Sequence, residues 1–269
     1  MVTLKTASEA AKMYLAGKIV AEILALTRAA AKPGASTADL DQIARDVIKR
    51  HGAVSSFLGY YGYPATICTS INDEIVHGIP SPKRMLRDGD IIGIDAGVIV
   101  DGWHADAAVT IAVGTASEAA LRLIATTEEA LRHGIAAAKV GGRIGDIGAA
   151  VQAHAESQGY SVVRNYVGHG IGRAMHEEPQ VPNYGLADRG LPIKPGLCLA
   201  IEPMLNAGNA DTRVLGDQWT VVTEDGSLSA HFEHAIWCTD EGPVVLTAAG
   251  GGADARLRAE LEAGKLVQA

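Results

Sequence analysis

Helical spacing of apolar residues dominates the first fifty positions, gives way to near-continuous apolar runs, and then returns. Residues 7–31 read as one alanine-rich helix that Pro33-Gly34 stops. Leu40, Ile43, Ala44, Val47 and Ile48 next recur on a single face. They predict a second helix from about Thr37, a good N-cap type, to a stop at Gly52. Strands are expected near 54–60, 66–71, 91–99 and 103–113, with Asp101-Gly102 as a two-residue hairpin signal between the last two. Alanine-rich helical patterning resumes from Ser117 to about Ala138. A further helix runs from Ile144 to Gln158, ended by Gly159.

A shift of 107 residues aligns Lys32 with Lys139, Gly34 with Gly141, Asp39 with Asp146, Leu40 with Ile147 and Gly52 with Gly159. The layout suggests two similar α/β halves, about 7–113 and 117–247, related by a pseudo-two-fold axis. Identity alone does not decide this, because any two alanine-rich helix pairs with glycine stops align about as well. At 269 residues the chain is one large domain or two small ones; one unit over 1–247 is expected. The tail, 248–269, carries Gly250-Gly251-Gly252 and then a charged stretch, and reads as a frayed or disordered segment without a function.

Composition narrows the classes. With 48% hydrophobic residues a sizeable core can form, and a net charge of -8 disfavours a general nucleic-acid binder, which would want a basic face. Cys68, Cys198 and Cys238 are odd in number and far apart, so neither a disulfide framework nor a zinc knuckle is indicated and a reducing cytosol is expected. Lys5, Glu9, Lys12, Lys18 and Glu22 interrupt any signal-peptide stretch, and no run of about 18 apolar residues suggests a membrane span.

The chemistry lies in the polar residues that interrupt apolar runs. Asp95 sits in IIGIDAGVIV, Glu202 in LCLAIEPML and Glu233 in HFEHAIWC, with no lysine or arginine inside those runs. Moving an ionised carboxylate into a core without a partner costs on the order of tens of kcal/mol in the idealised limit. Divalent metal answers this, and four carboxylates with a histidine suggest two ions. If Val100 pairs with Trp103, then Gly97 faces Asp106 and Asp95 is its diagonal neighbour on the same side, with Gly97 leaving room for the ions. His169, in VGHGIG, has glycines that let backbone crowd its ring. Each residue alone has an ordinary alternative. Asp95 could be satisfied by backbone amides, Asp106 could be an exposed strand end, His169 a core histidine and Glu233 a solvent-facing strand residue. All five being accidents is the weaker reading. His77, in NDEIVHGIP, falls on a loop at a strand end, and His176, in MHEEP, is either a substrate-contacting base or a loop histidine. Strict alternation puts His231, Glu233, Ala235 and Trp237 on one face. His51, His133 and His154 fall on predicted helices and read as solvated.

GYPATICTSINDEIVHGIP, the Asp95–Asp106 spacing of 11, GHGIGRAMHEEP, AIEPM and SLSAHFEHAI together resemble the type I methionine aminopeptidases over about residues 5–247. Only 31 residues separate Glu202 from Glu233, which leaves no space for the insertion of the type II enzymes. The resemblance implies an α/β (α+β) pita-bread fold, a pseudo-two-fold curved antiparallel sheet covered by helices. It implies that Asp95, Asp106, His169, Glu202 and Glu233 bind two divalent ions, with Asp106 and Glu233 bridging. His77 and His176 would contact substrate, and Tyr60, Tyr63, Cys68, Met175 and Trp219 would line the methionine pocket. Met175 stands where many relatives carry phenylalanine and Tyr61 where some carry histidine; both touch the substrate rim rather than the metals.

The implied activity is removal of the initiator methionine from nascent proteins with a small second residue. Water held between the ions would attack the first peptide bond while Glu202 moves the proton. His176 would steady the oxyanion and His77 the scissile amide. Carboxylate-rich ligation suits manganese, iron(II) or cobalt, with zinc open. The expected partner is the N terminus of a nascent chain, with transient ribosome association, no stable nucleic acid and no membrane, for a cytoplasmic monomer. Three rivals stand beside this: an Xaa-Pro aminopeptidase or prolidase on the same fold, a metal-free binding module, and a two-metal phosphodiesterase. The first usually carries an extra N-terminal domain, all five ligand types argue against the second, and the acidic balance disfavours the third.

Overall fold

The computed structural model describes residues 2–248, 257–260 and 262–263. Helix α1 (Ala7–Ala30) starts at a capping box. The Thr6 hydroxyl accepts from the Glu9 amide and the Glu9 carboxylate accepts from the Thr6 amide; losing such a cap typically costs about 1 kcal/mol. Helix α2 (Thr37–Arg50) is capped by Ser36, not by Thr37. Ser36 Oγ accepts from the Asp39 amide at 3.2 Å, and Asp39 answers at the Ser36 amide at 2.8 Å. Thr37 is already helical, and its hydroxyl donates to the Ser81 carbonyl at 3.1 Å. Helices α3 (Glu118–Ala137) and α4 (Ile144–Ser157) complete the layer.

The strands in chain order are β1 (Val54–Ser55), β2 (Ile67–Ile71), β3 (Glu74–Val76), β4 (Ile91–Val100), β5 (Trp103–Ala112), β6 (Ser161–Val162), β7 (Gly168–Gly170), β8 (Glu177–Val181), β9 (Cys198–Ile201), β10 (Met204–Asn206), β11 (Thr212–Val214), β12 (Val221–Thr223), β13 (Ser229–His231), β14 (Glu233–Thr239) and β15 (Gly242–Val245). One nine-stranded antiparallel sheet runs β1-β4-β5-β14-β9-β7-β8, with β2 also on β4 and β15 also on β14. Two three-stranded sheets, β13-β10-β6 and β11-β12-β3, flank it. The expected strand over 54–60 is cut to two residues. Ser55 Oγ accepts the amides of Phe57 and Leu58, both at 3.1 Å, and bends the chain into a 3-10 turn at Tyr60–Gly62.

Helices cover one face of the main sheet, and alternation along the strands sends its polar residues to the other. Ile92, Ile94, Ala96 and Val98 of β4, with Ala105, Ala107 and Ile111 of β5, pack among Val20, Ile23, Leu40, Ala44 and Val47 of α1 and α2. Leu199, Ile201, Ile236 and Cys238 pack likewise with Leu131 and Ile147 of α3 and α4. Asp95 and Asp106 have odd–even parity opposite to these residues and therefore face away from the helices.

Backbone pairing recurs along the chain. Gly34 N donates to Leu86 O, Leu86 N to Ala35 O and Thr37 N to Arg84 O. The same three bonds join Gly141 to Ile193, Ile193 to Gly142 and Ile144 to Leu191, each partner displaced by 107 residues. The bridges Ser36–Met85 and Arg143–Pro192 stand in the same relation. In the tail, Leu257–Glu260 are helical, with Leu257 buried beside Ala10 and Met13; most of the 248–269 expectation lies outside the described residues.

Candidate metal centre

The site is built on the β4–β5 hairpin. Asp101 and Gly102 take φ of 52° and 75°, the backbone a tight hairpin turn needs. Val100 faces Trp103 and Gly97 faces Asp106, the register expected from the turn, and Asp95 is one diagonal step away. Gly97 does not clear space for ions. A Cβ there would lie 2.7 Å from Phe57 Cε1 and 2.9 Å from Ser56 Cβ, so its missing side chain admits the Ser56–Phe57 segment.

The other groups arrive from the second half of the sheet. His169 is the centre of β7, and its flanking glycines are needed for close approach. A Cβ at Gly168 would meet the Ala200 carbonyl oxygen at 2.3 Å, and one at Gly170 the Glu178 carbonyl oxygen at 2.3 Å. Glu202 follows β9 directly, and Glu233 opens β14 opposite Ala108. Alternation does not run unbroken from His231. The ladder stops at Phe232, whose amide donates to the Pro203 carbonyl at 3.3 Å, and resumes at Glu233.

These side chains meet in one cavity of about 240 Å³. The donors and substrate-side residues named from the sequence line it: Asp95, Asp106, His169, Glu202, Glu233, His77, His176, Tyr60, Tyr61, Tyr63, Cys68, Met175 and Trp219, joined by Phe57. Phe57 escaped the sequence reading. Its only signal was being one of two phenylalanines in the chain, beside a turn. Asp106, His169 and Glu233 bring ligand atoms within 4.8 Å of one another. Asp95 and Glu202 share the cavity outside that mutual set, with Glu202 Oε1 at 3.5 Å from His169 Nε2. The His169 Nδ1–H donates to the Gly170 carbonyl at 2.8 Å, which leaves Nε2 as the lone-pair nitrogen toward Glu202.

Electrostatics mark the centre as unbalanced. Burial raises Asp106, Glu202 and Glu233 well above the ordinary carboxylate range, and for each the other carboxylates of the cluster add to it. Burial also raises Asp95, with the interaction with Asp106 pulling the other way. Burial lowers His169 to about 3 and His77 to about 4, so both are neutral imidazoles near pH 7. Among the described residues, Asp95 Oδ1, Asp106 Oδ1 and Glu233 Oε1 are buried without a hydrogen-bond partner, and no described lysine or arginine lines the cavity. Orphaned carboxylate oxygens beside a neutral imidazole, with no cationic side chain to answer them, fit divalent cations.

Substrate-side groups ring the carboxylates. His77, just past β3, holds a φ of 61°, with its ring 5.9 Å from that of Tyr166 and 6.4 Å from that of Trp219. Left-handed backbone at a non-glycine residue is uncommon, and such residues cluster at functional sites. His176 Nδ1 is 2.7 Å from the Tyr60 hydroxyl, and its ring centroid 4.3 Å from that of His169. Phe57, Tyr63, Ala65, Cys68 and Met175 form a buried apolar cluster, with Trp219 packed against it.

A curled antiparallel sheet clothed by helices, with buried carboxylates and a histidine gathered on its open face, defines a metallohydrolase of the pita-bread architecture. The chain belongs to metallopeptidase family M24, whose model matches residues 11–240. It is 51% identical over 247 residues to a methionine aminopeptidase of Clostridium acetobutylicum, covering 92% of this chain and 99% of that relative. The crystal structure of methionine aminopeptidase from Rickettsia prowazekii aligns at TM-score 0.90 and 44% identity, over 92% of this chain and 100% of that one. An Xaa-Pro dipeptidase from Bacillus anthracis aligns at TM-score 0.73 and 23% identity, over 91% of this chain and 62% of its own. The last is a likeness of fold alone.

Proposed function

We propose that this metallopeptidase removes the N-terminal methionine of nascent polypeptides whose second residue is small. The observation that carries the reading is the juxtaposition of five metal-type donors with a closed apolar wall in one cavity. Similarity to methionine aminopeptidases over nearly the whole chain supports it, and likeness to Xaa-Pro enzymes extends only to the fold. The catalytic unit is residues 1–247, built of two similar halves, about 7–113 and 117–247, a reading supported by the backbone bonds that recur 107 residues apart. The substrate is met transiently at the ribosome by a monomer in the cytoplasm.

Asp95, Asp106, His169, Glu202 and Glu233 would hold two divalent ions. Manganese, iron(II) and cobalt suit this donor set best, and zinc also fits nitrogen and carboxylate donors. When bound, such ions polarise a peptide carbonyl and make a water nucleophilic near neutral pH. The remaining steps belong to the protein. Glu202 accepts the proton of the attacking water and delivers it to the departing amine. Tyr60 Oη lies 2.7 Å from His176 Nδ1; in the tautomer where the hydroxyl donates, His176 Nε2 carries the proton and donates to the oxygen that gains charge. His77 orients the scissile amide. Phe57, Tyr63, Cys68, Met175 and Trp219 enclose the thioether side chain, and Met175 supplies a polarisable contact to sulfur.

The test is a tripeptide panel with metal analysis. Met-Ala-Ser should be cleaved and Met-Leu-Ser left intact, and exhaustive chelation should stop turnover. Full activity after chelation contradicts the metal reading, and faster cleavage of Xaa-Pro peptides would favour the other branch of the fold.

A further inference from the structure

His176 lies at the end of the short loop that joins β7 to β8, and Met175 precedes it. One end of the loop is held against the start of β5. Gly172 N donates to Ala174 O at 3.2 Å, His104 N to Gly172 O at 2.9 Å, and Arg173 reaches outward to stack over Trp103. Its other end is gripped by Glu177, the residue after His176. Glu177 Oε1 accepts from the Ala174 amide at 3.2 Å. Glu177 Oε2 accepts from Lys5 Nζ and from Thr3 Oγ1, each at 2.6 Å. Lys5 Nζ also donates to Thr3 Oγ1 at 2.7 Å. The Lys5 side chain is 3% exposed and that of Glu177 12%.

The N-terminal arm that brings these donors is itself anchored. Lys5 N donates to Gly196 O at 2.6 Å, Trp237 Nε1 to Lys5 O at 3.3 Å, and Leu4 bridges Leu197. A buried ion pair is poor evidence of added stability, because desolvating both charges offsets most of their attraction. What it supplies is direction: charge-assisted hydrogen bonds are short and geometrically demanding. Here a pair 172 residues apart in sequence converges on the residue beside the proposed oxyanion donor.

We propose that Lys5 and Glu177 are positioning residues for turnover: the arm-to-loop ion pair fixes the direction of His176. The inference rests on the role given above to His176. Breaking the tie leaves the apolar pocket formed, since Met175 is packed against Phe57, Tyr63 and Cys68. The loss therefore falls on the transition state rather than on substrate capture.

The experiment is a double-mutant comparison on the metal-loaded enzyme with Met-Ala-Ser. Lys5→Met/Glu177→Gln removes both charges without leaving one buried alone. Its kcat should fall roughly ten- to hundredfold, as for a displaced catalytic group, while KM stays within about threefold. In a His176→Ala background the same pair of changes should have no further effect on kcat. Amide exchange over 172–176 should quicken, with β4 and β5 still protected. Equal proportional losses in both backgrounds, or unchanged kcat, would overturn the inference. Wild-type turnover by His176→Ala alone would overturn the role of His176 itself, leaving exchange over 172–176 to decide whether the tie holds the loop. Should the double variant fail to fold, Thr3→Val removes one bond to Glu177 Oε2 and is read against the same outcomes.

Discussion

Burial decides what each ionisable side chain of the cavity can do. Glu202 and Glu233 are ordinary glutamates until the fold takes them out of water; raised by burial and then by neighbouring carboxylates, Asp106 and Asp95 for Glu202 and Glu202 and Asp95 for Glu233, they become ligands in search of a cation. Glu202→Gln keeps the shape of the side chain and loses its basicity. It should lower kcat by roughly 10²–10⁴, the span of a general base, with an unchanged far-UV spectrum; near-normal turnover would remove Glu202 from the proton path. Gly97 makes a second residue-scale case. Alanine there would push on Phe57 and Ser56 at 2.7 and 2.9 Å. The pocket wall should shift, KM for Met-Ala-Ser rise several-fold and stability fall by about 1–3 kcal/mol. An unaltered KM would show that Phe57 does not shape the substrate pocket.

At the scale of elements, β7 is the tightest piece. Its three residues pair with β8 on one side, His169 and Gly170 also pair with β9 on the other, and the glycines at both ends let neighbouring carbonyls come close. Gly168→Ala should force β7 away from Ala200 and carry His169 with it, weakening metal affinity at least tenfold. Metal titration followed by calorimetry checks this; native affinity would mean that the strand has slack which the close contacts deny. Removal of the α1 cap is a milder matter. Thr6→Ala should cost about 1 kcal/mol, near 2–4 °C in melting temperature for a chain of this size, with activity per folded molecule intact.

For the whole molecule, the carboxylate cluster sets the response to pH in the absence of metal. A carboxyl whose pKa rises on folding binds protons more readily in the folded state, so its stabilising contribution is present at low pH and is lost as pH rises. Asp106, Glu202 and Glu233 are of this kind. Buried His77, His169, His231 and His234 have the opposite sign. Lowered on folding, their contribution is complete above the unfolded value of 6.5 and lost below it. The two effects oppose each other in acid; just above 6.5 the carboxylate effect remains, and the buried thiols of Cys68, Cys198 and Cys238, also raised by burial, add the same sign further into the alkaline range. The melting temperature of the chelated protein should therefore decline as pH climbs past neutrality, and saturating divalent metal should abolish the decline, because it binds the deprotonated ligands. Thermal melts with and without chelator decide it; a flat metal-free profile would mean the carboxylates are not crowded together as drawn.

Local chemistry along the chain was enough to place four helices, the hairpin with its register, and the donors that interrupt apolar strands, because each is a matter of periodicity, turn residues or a charge in the wrong company. The five donors were nameable for that reason, whereas Tyr60, Tyr63, Cys68, Met175 and Trp219 came only from the resemblance to the type I methionine aminopeptidases. Other features needed the folded chain. Nothing in the run 54–60 says that Ser55 will capture the Phe57 and Leu58 amides and end the strand, nor that Phe57 will occupy the space above Gly97. Alternation through HFEHAIWC could not foresee the break at Phe232, which depends on the Pro203 carbonyl. The pairing of Lys5 with Glu177 joins positions too distant for any local pattern to relate. Periodicity reports which side of an element is buried; which residues meet there is settled only when separate elements pack and each buried polar atom must find its partner.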